Sequence, residues 1–123
     1  MNPKIRKIVG WVLSGLLGAL LILSAIGKLS GGEAAEGMVK WGFSESEVIL
    51  IGVGELLSLI VFLIPRTSSL GTLLLSAYFG GAIATHMQQA PPSDNYTAPA
   101  VFLVLVWIIT LLRNPGLYSS FRD

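Results

Sequence analysis

The chain of 123 residues has no cysteine, a single histidine, and charge on only 12% of its positions. Without cysteine there is no disulfide, no thiolate metal site and no dithiol relay within the chain. One histidine and no cysteine leave no ligand set for a catalytic metal, so no metal is expected. No nucleophile-and-base pair is visible either, and Gly80-Gly81 follows no strand, which makes it helix packing rather than a phosphate cradle. The net charge of +1 says little by itself, and no nucleic-acid partner is expected. Any redox role must borrow its chemistry from a bound cofactor.

What the chain does have is apolar sequence. It is 53% hydrophobic with a mean hydropathy of +0.74, whereas soluble domains carry charge on about a quarter of their residues. Apolar stretches run over Ile8 to Gly27, Val48 to Ile64, Ser68 to Thr85 and Ala98 to Leu112. A helix rises about 1.5 Å per residue, so the first stretch crosses a hydrocarbon core of about 30 Å and the others reach it with their flanks. The expected fold is all-α: a single four-helix transmembrane bundle with spans at about 8-29, 45-64, 68-87 and 97-112. These spans leave no room for a soluble domain, a solenoid repeat or a low-complexity tail. The first segment also resembles a signal peptide, but its apolar run of about 20 residues exceeds the usual 7–15, and it is read as a retained anchor.

Local signals set the boundaries. In "GFSESEVIL", Ser44 and Glu47 form a capping box, with Phe43 and Val48 placed as a hydrophobic staple. The second span must stop near Ile64, because Pro65 cannot continue it. Pro65-Arg66-Thr67 then makes a short antiparallel hairpin, with Thr67 or Ser68 as the next N-cap. Between the first two spans, "EAAEGMVKWGF" mixes charges with Met38, Val39, Trp41 and Phe43, which suits a short interfacial segment over the bundle mouth. The segment "QQAPPSDNYTAP" reads as a plain loop. Its Asn95-Tyr96-Thr97 triplet is a glycosylation sequon that matters only in a eukaryotic secretory setting.

The few polar residues of the spans converge. On the first helix Trp11, Ser14, Gly18, Leu21, Ala25 and Lys28 form a seam of mostly small residues that ends in a lysine. On the second, Gly52, Glu55 and Ser58 share a face, and Glu55 lies roughly 15 Å below the helix start. The third presents Tyr78, Gly81 and Thr85 on one face with His86 near its end, and a second small-residue row at Ser76, Gly80 and Ala84. An ionised acid within a bilayer costs about 2.5–3.5 kcal/mol, so Glu55 should face inward and be partnered, by Lys28 first and His86 second. The pair is either a functional head group or a purely structural ion pair, and His86 has a bland reading as a wet interfacial residue. Trp11 and Trp41 suit membrane-interface anchors, and Trp107 suits packing.

These features resemble the DoxX-like family of small four-helix membrane proteins. The likeness rests on "SAIGKL" closing the first span, "WGF" before the second, and "GVGELLSLIVFLIPRTSSLGTLLLSAYFGGAIATH" through the second and third. Lys28, Glu55, Pro65-Arg66-Thr67 and His86 match its pattern. The resemblance implies association with redox or detoxification proteins, since the family's namesake accompanies a thiosulfate:quinone oxidoreductase. The resulting expectation is a bacterial inner-membrane protein that binds a small lipophilic, quinone-like molecule in an outward-facing polar pocket. Its ligand contacts would be Lys28, Glu55, His86, Tyr78 and Trp41, and it would act as subunit or partner of a redox system, with a homo-oligomer as a further possibility. The alternatives are a non-enzymatic assembly protein and a transporter similar to the small multidrug exporters, although those carry their acid in the first span.

Lys and Arg are distributed unevenly, and this sets an expected orientation. Lys4, Arg6, Lys7, Arg66, Arg113 and Arg122 fall on one side and only Lys28 and Lys40 on the other, which places both termini in the cytoplasm. A reporter fused after Asp123 should therefore be active only in the cytoplasm. Activity on the outside would invert the assignment.

Overall fold

The computed structural model describes residues 2–89 and 96–119. Most of the Pro-rich loop, with Asn95 of the sequon, lies outside these residues, as do Arg122 and Asp123. The described residues contain helices and no strand. They form α1 (Pro3–Leu29), α2 (Glu33–Lys40), α3 (Glu45–Leu63), a 3₁₀ turn (Pro65–Thr67), α4 (Ser68–Met87), α5 (Thr97–Arg113) and the short α6 (Gly116–Ser119). By length and composition α1, α3 and the 3₁₀ turn with α4 can cross a membrane, whereas α5 is apolar but has only 17 residues.

The helix ends follow from local chemistry. Asn2 accepts from the Lys4 N–H at 2.8 Å and Pro3 opens α1, where a missing N–H costs nothing. The capping box at Ser44 forms in both directions, Ser44 Oγ accepting from the Glu47 N–H at 3.2 Å and Glu47 Oε1 from the Ser44 N–H at 2.8 Å. Thr67 is the residue before α4, yet its hydroxyl does not cap that helix. It donates back to the Val61 carbonyl at 2.8 Å, tying the 3₁₀ turn to the end of α3, whose last carbonyls have no helical partner.

Helices α1, α3, α4 and α5 run alternately up and down around one core, with Leu17, Leu21, Leu59, Phe62, Leu75, Phe79, Val106 and Ile109 buried in it. The buried fraction of the three long apolar segments is only 22–33%, and the rest of each turns aliphatic side chains outward. Leu16, Leu23 and Leu50 are more than 60% exposed, a surface that lipid solvates and water does not. The α3–α4 hairpin closes at Gly71, where a Cβ would fall inside the backbone of Phe62. Across α4–α5 the Thr72 and Thr110 hydroxyls meet at 2.8 Å, and the Trp107 indole donates to Ser76 Oγ at 2.9 Å.

Two details differ from the sequence expectation. Trp11 is 42% exposed instead of sitting in the inward seam, and Gly10 is buried in its place because the Arg113 stem lies against it. α6 had no sequence signal. It folds back so that the Tyr118 hydroxyl donates to the Trp107 carbonyl at 2.8 Å.

Substituting Gly71 with alanine should lower unfolding stability in detergent by about 1–3 kcal/mol or more, the usual penalty for overpacking. Gly80→Ala, where nothing lies within 4 Å of the added atom, should change it by less than about 1 kcal/mol. Equal effects at the two positions would contradict the described α3–α4 contact.

Candidate functional site

The polar centre is built where α1 and α3 come closest. Gly52 makes this approach possible, since a Cβ there would stand 3.1 Å from Lys28 Cβ and 3.2 Å from Leu29 side-chain carbons. One turn further along α3, Glu55 points at the same stretch of α1. Lys28 Nζ donates to Glu55 Oε1 at 2.9 Å and to Ser24 Oγ at 2.6 Å, and the Ser24 hydroxyl donates to Glu55 Oε1 at 3.3 Å. Glu55 is 1% exposed and the Lys28 side chain 10%. Lys28, the first partner considered for the acid, is therefore the one it has.

Tyr78 brings α4 into this group. The Lys28 ammonium lies 5.7 Å from its ring centroid, and the tyrosine lines the same cavity as Glu55 and Ser24. Phe79 packs edge-on against Tyr78 at 5.2 Å and stacks on Phe102 of α5 at 5.7 Å, so the tyrosine is braced from behind. His86 stands apart from the ion pair. Its Nδ1 pairs with the Ala82 carbonyl at 2.7 Å, which makes Nδ1 the protonated nitrogen, and no partner for Nε2 is found among the described residues. The ring meets Trp41 edge-on at 4.8 Å. Trp41 closes α2, so this contact ties the short helix to the end of α4.

Between these groups lies a cavity of about 670 Å³. Lys28, Glu55, Tyr78, His86 and Trp41 all line it, as do Met38 and Phe43. Every residue that the sequence nominates thus reaches one space. Most of its wall is apolar, with Leu21, Ile51, Phe79 and Phe102 among the contributors; the polar lining is the Lys28–Glu55–Ser24 group with Tyr78, and Glu33, Thr85 and His86 from α2 and the end of α4. Ser24 was not nominated, although it lies four residues before Lys28 on the same helical face, a spacing that signals contact. Glu33 at the start of α2 was likewise missed; it lines the cavity from a segment whose fold the sequence pattern leaves open. No cluster of metal-ligating side chains occurs among the described residues.

An all-helical chain with several membrane-length apolar helices and a buried Lys–Glu pair at the head of a cavity defines a class of small integral membrane proteins. Residues 12–109 match the DoxX-like family, and the chain belongs to it. No curated protein and no solved structure matches the chain.

Breaking the pair should be costly and repairable. Glu55→Gln leaves Lys28 buried without its counter-charge and should destabilise the protein by up to about 3–5 kcal/mol, while Glu55→Gln with Lys28→Met should recover part of that loss. Unfolding measurements on the four members of this cycle test it, and strictly additive losses would show that the two charges do not support each other.

Proposed function

We propose that the protein is a four-span protein of a bacterial inner membrane, with both termini cytoplasmic, that binds a small lipophilic, quinone-like molecule. The observation that carries this reading is a largely apolar cavity of about 670 Å³ into which a buried Lys28–Glu55 pair opens. That volume lies within the usual range of about 300–1,000 Å³ for ligand sites, and such sites pair greasy walls with a few placed polar groups. An ammonium has three N–H donors, and Lys28 uses two on Ser24 and Glu55, which leaves one for a ligand carbonyl. Tyr78 adds a hydroxyl beside it. Phe79, Phe102 and Ile51 take the apolar body, and Trp41, held by His86, covers the mouth. The chain supplies binding and polarisation, and electrons are exchanged with a redox partner in the same membrane. The ion pair speaks against the exporter reading, because an acid held by a lysine is not free to trade its proton for a cationic substrate.

A second reading, as an assembly protein or homo-oligomer, draws on a different face. Gly80 and Ala84 on α4 are exposed, and small residues are what membrane helices use for close packing.

Native mass spectrometry of the detergent-purified protein should show a co-purifying apolar molecule of quinone mass. Trp41→Ala should weaken its retention about tenfold, the effect of about 1.4 kcal/mol, while leaving the unfolding temperature of the ligand-free protein nearly unchanged. A protein that carries only phospholipid, and whose stability no added quinone alters, would contradict the proposal.

A further inference from the structure

The far end of the bundle, where α1 begins and α5 stops, carries a different chemistry. Arg113, the last residue of α5, reaches back between helices. Its guanidinium carbon lies 3.9 Å from the Trp11 ring centroid and 4.9 Å from that of Phe62, and Nη1 donates to Ser14 Oγ at 3.3 Å. Gly10 makes room for the stem, since a Cβ there would stand 2.8 Å from Arg113 Cγ. Arg6, one turn earlier on α1, donates from Nε to the Leu112 carbonyl at 2.9 Å, the residue that precedes Arg113. Two guanidinium groups are thereby held at this end of the bundle, Arg6 against α5 and Arg113 across α1 against Phe62 of α3.

Their donors are largely unused. A guanidinium carries five N–H groups. Among the described residues each arginine uses one on the protein, which leaves four on each. No described acid is available to take them: Glu33, Glu36, Glu45 and Glu47 belong to α2 and the start of α3 at the opposite end, and Glu55 is committed to Lys28. Lys4, Lys7 and Arg66 add further positive charge to the same end. A surface arginine is usually mobile and hydrated, but these two are oriented by ring stacking and by a backbone carbonyl, so little freedom is lost when an anion arrives. Their forked donors match phosphate oxygens. Trp11, half exposed beside Arg113, is the residue type that settles at headgroup depth.

We propose that Arg6 and Arg113 together form a binding site for the phosphate of an anionic phospholipid at this end of α1, remote from the cavity. The acyl chains would lie along the exposed aliphatic residues of α1, including Val9, Val12 and Leu16. The site does not depend on what the cavity binds.

The test uses the full chain in neutral detergent and reads the rise in unfolding temperature on adding phosphatidylglycerol, phosphatidylcholine or inorganic phosphate, together with the number of phosphatidylglycerol molecules retained in native mass spectra. Wild type should gain most from phosphatidylglycerol and retain one molecule of it. Arg6→Gln with Arg113→Gln should lose that retention by at least tenfold, whereas Lys4→Gln with Lys7→Gln, which removes equal charge, should keep it. Should the arginine double variant fail to fold, Arg6→Lys with Arg113→Lys carries the test: it retains charge but not the fork, and it should also lose the preference. Equal losses in the lysine and arginine pairs would mean diffuse attraction and overturn the site. A rise of the same size with inorganic phosphate would overturn the lipid as its occupant.

Discussion

A carboxylate buried among apolar helices is tolerable only if something neutralises it, and the rest of this structure is arranged around the 2.9 Å contact from Lys28 to Glu55. The pair fixes the relative position of α1 and α3, because lysine at the end of one helix must meet an acid ten residues into the other. It requires Gly52, since any side chain there would push Lys28 away. It recruits Ser24 one turn back, whose hydroxyl serves both charges. Among the described residues no buried side-chain polar atom lacks a partner, so the cost of placing charge in the bundle is met locally.

That arrangement divides the bundle along its length. Toward the termini, Leu17, Leu59, Phe62, Leu75 and Ile109 fill the interior, and Gly71 lets α3 and α4 touch through their backbones. Toward α2 the small residues Ala77, Gly81, Ala82 and Ala98 stand among the larger ones, and the space opens into the cavity. The same helices therefore make a packed half and a hollow half. α2 lies over the hollow half, packs on α1 and α3, and reaches α4 through the contact of Trp41 with His86. Charge follows the same division: among the described residues the acids gather in α2 and the start of α3, apart from Glu55, and no acid stands beside the cations where α1 begins and α5 stops.

Much of this was legible in the sequence because membrane helices leave few polar residues to place. The pairing of Lys28 with Glu55 could be expected from helix length and chain direction alone, and the capping box at Ser44 needed only a local spacing. What escaped notice depended on tertiary contact. Ser24 is by type one more small residue of a membrane helix, and its contacts with Lys28 and Glu55 make it a bridge. Trp11 had the right period for the inward seam, yet Arg113 from the far end of the chain lies against Gly10 and the indole turns outward. Thr67 had the right type for a cap, but the uncapped carbonyls at the end of α3 were nearer than the N–H groups of α4. Periodicity reports which face a residue occupies, not which neighbour from another helix competes for the place.

The central claim is that the Lys28 ammonium is the polar contact for a ligand carbonyl within the cavity. Infrared difference spectroscopy on the purified protein in lipid nanodiscs, with a carbonyl-labelled short-chain quinone, tests it directly. A hydrogen bond from Lys28 lowers the frequency of one carbonyl stretch relative to the same quinone in lipid alone, and Lys28→Met restores it. A labelled carbonyl that absorbs at its free frequency in the wild-type protein would contradict the account.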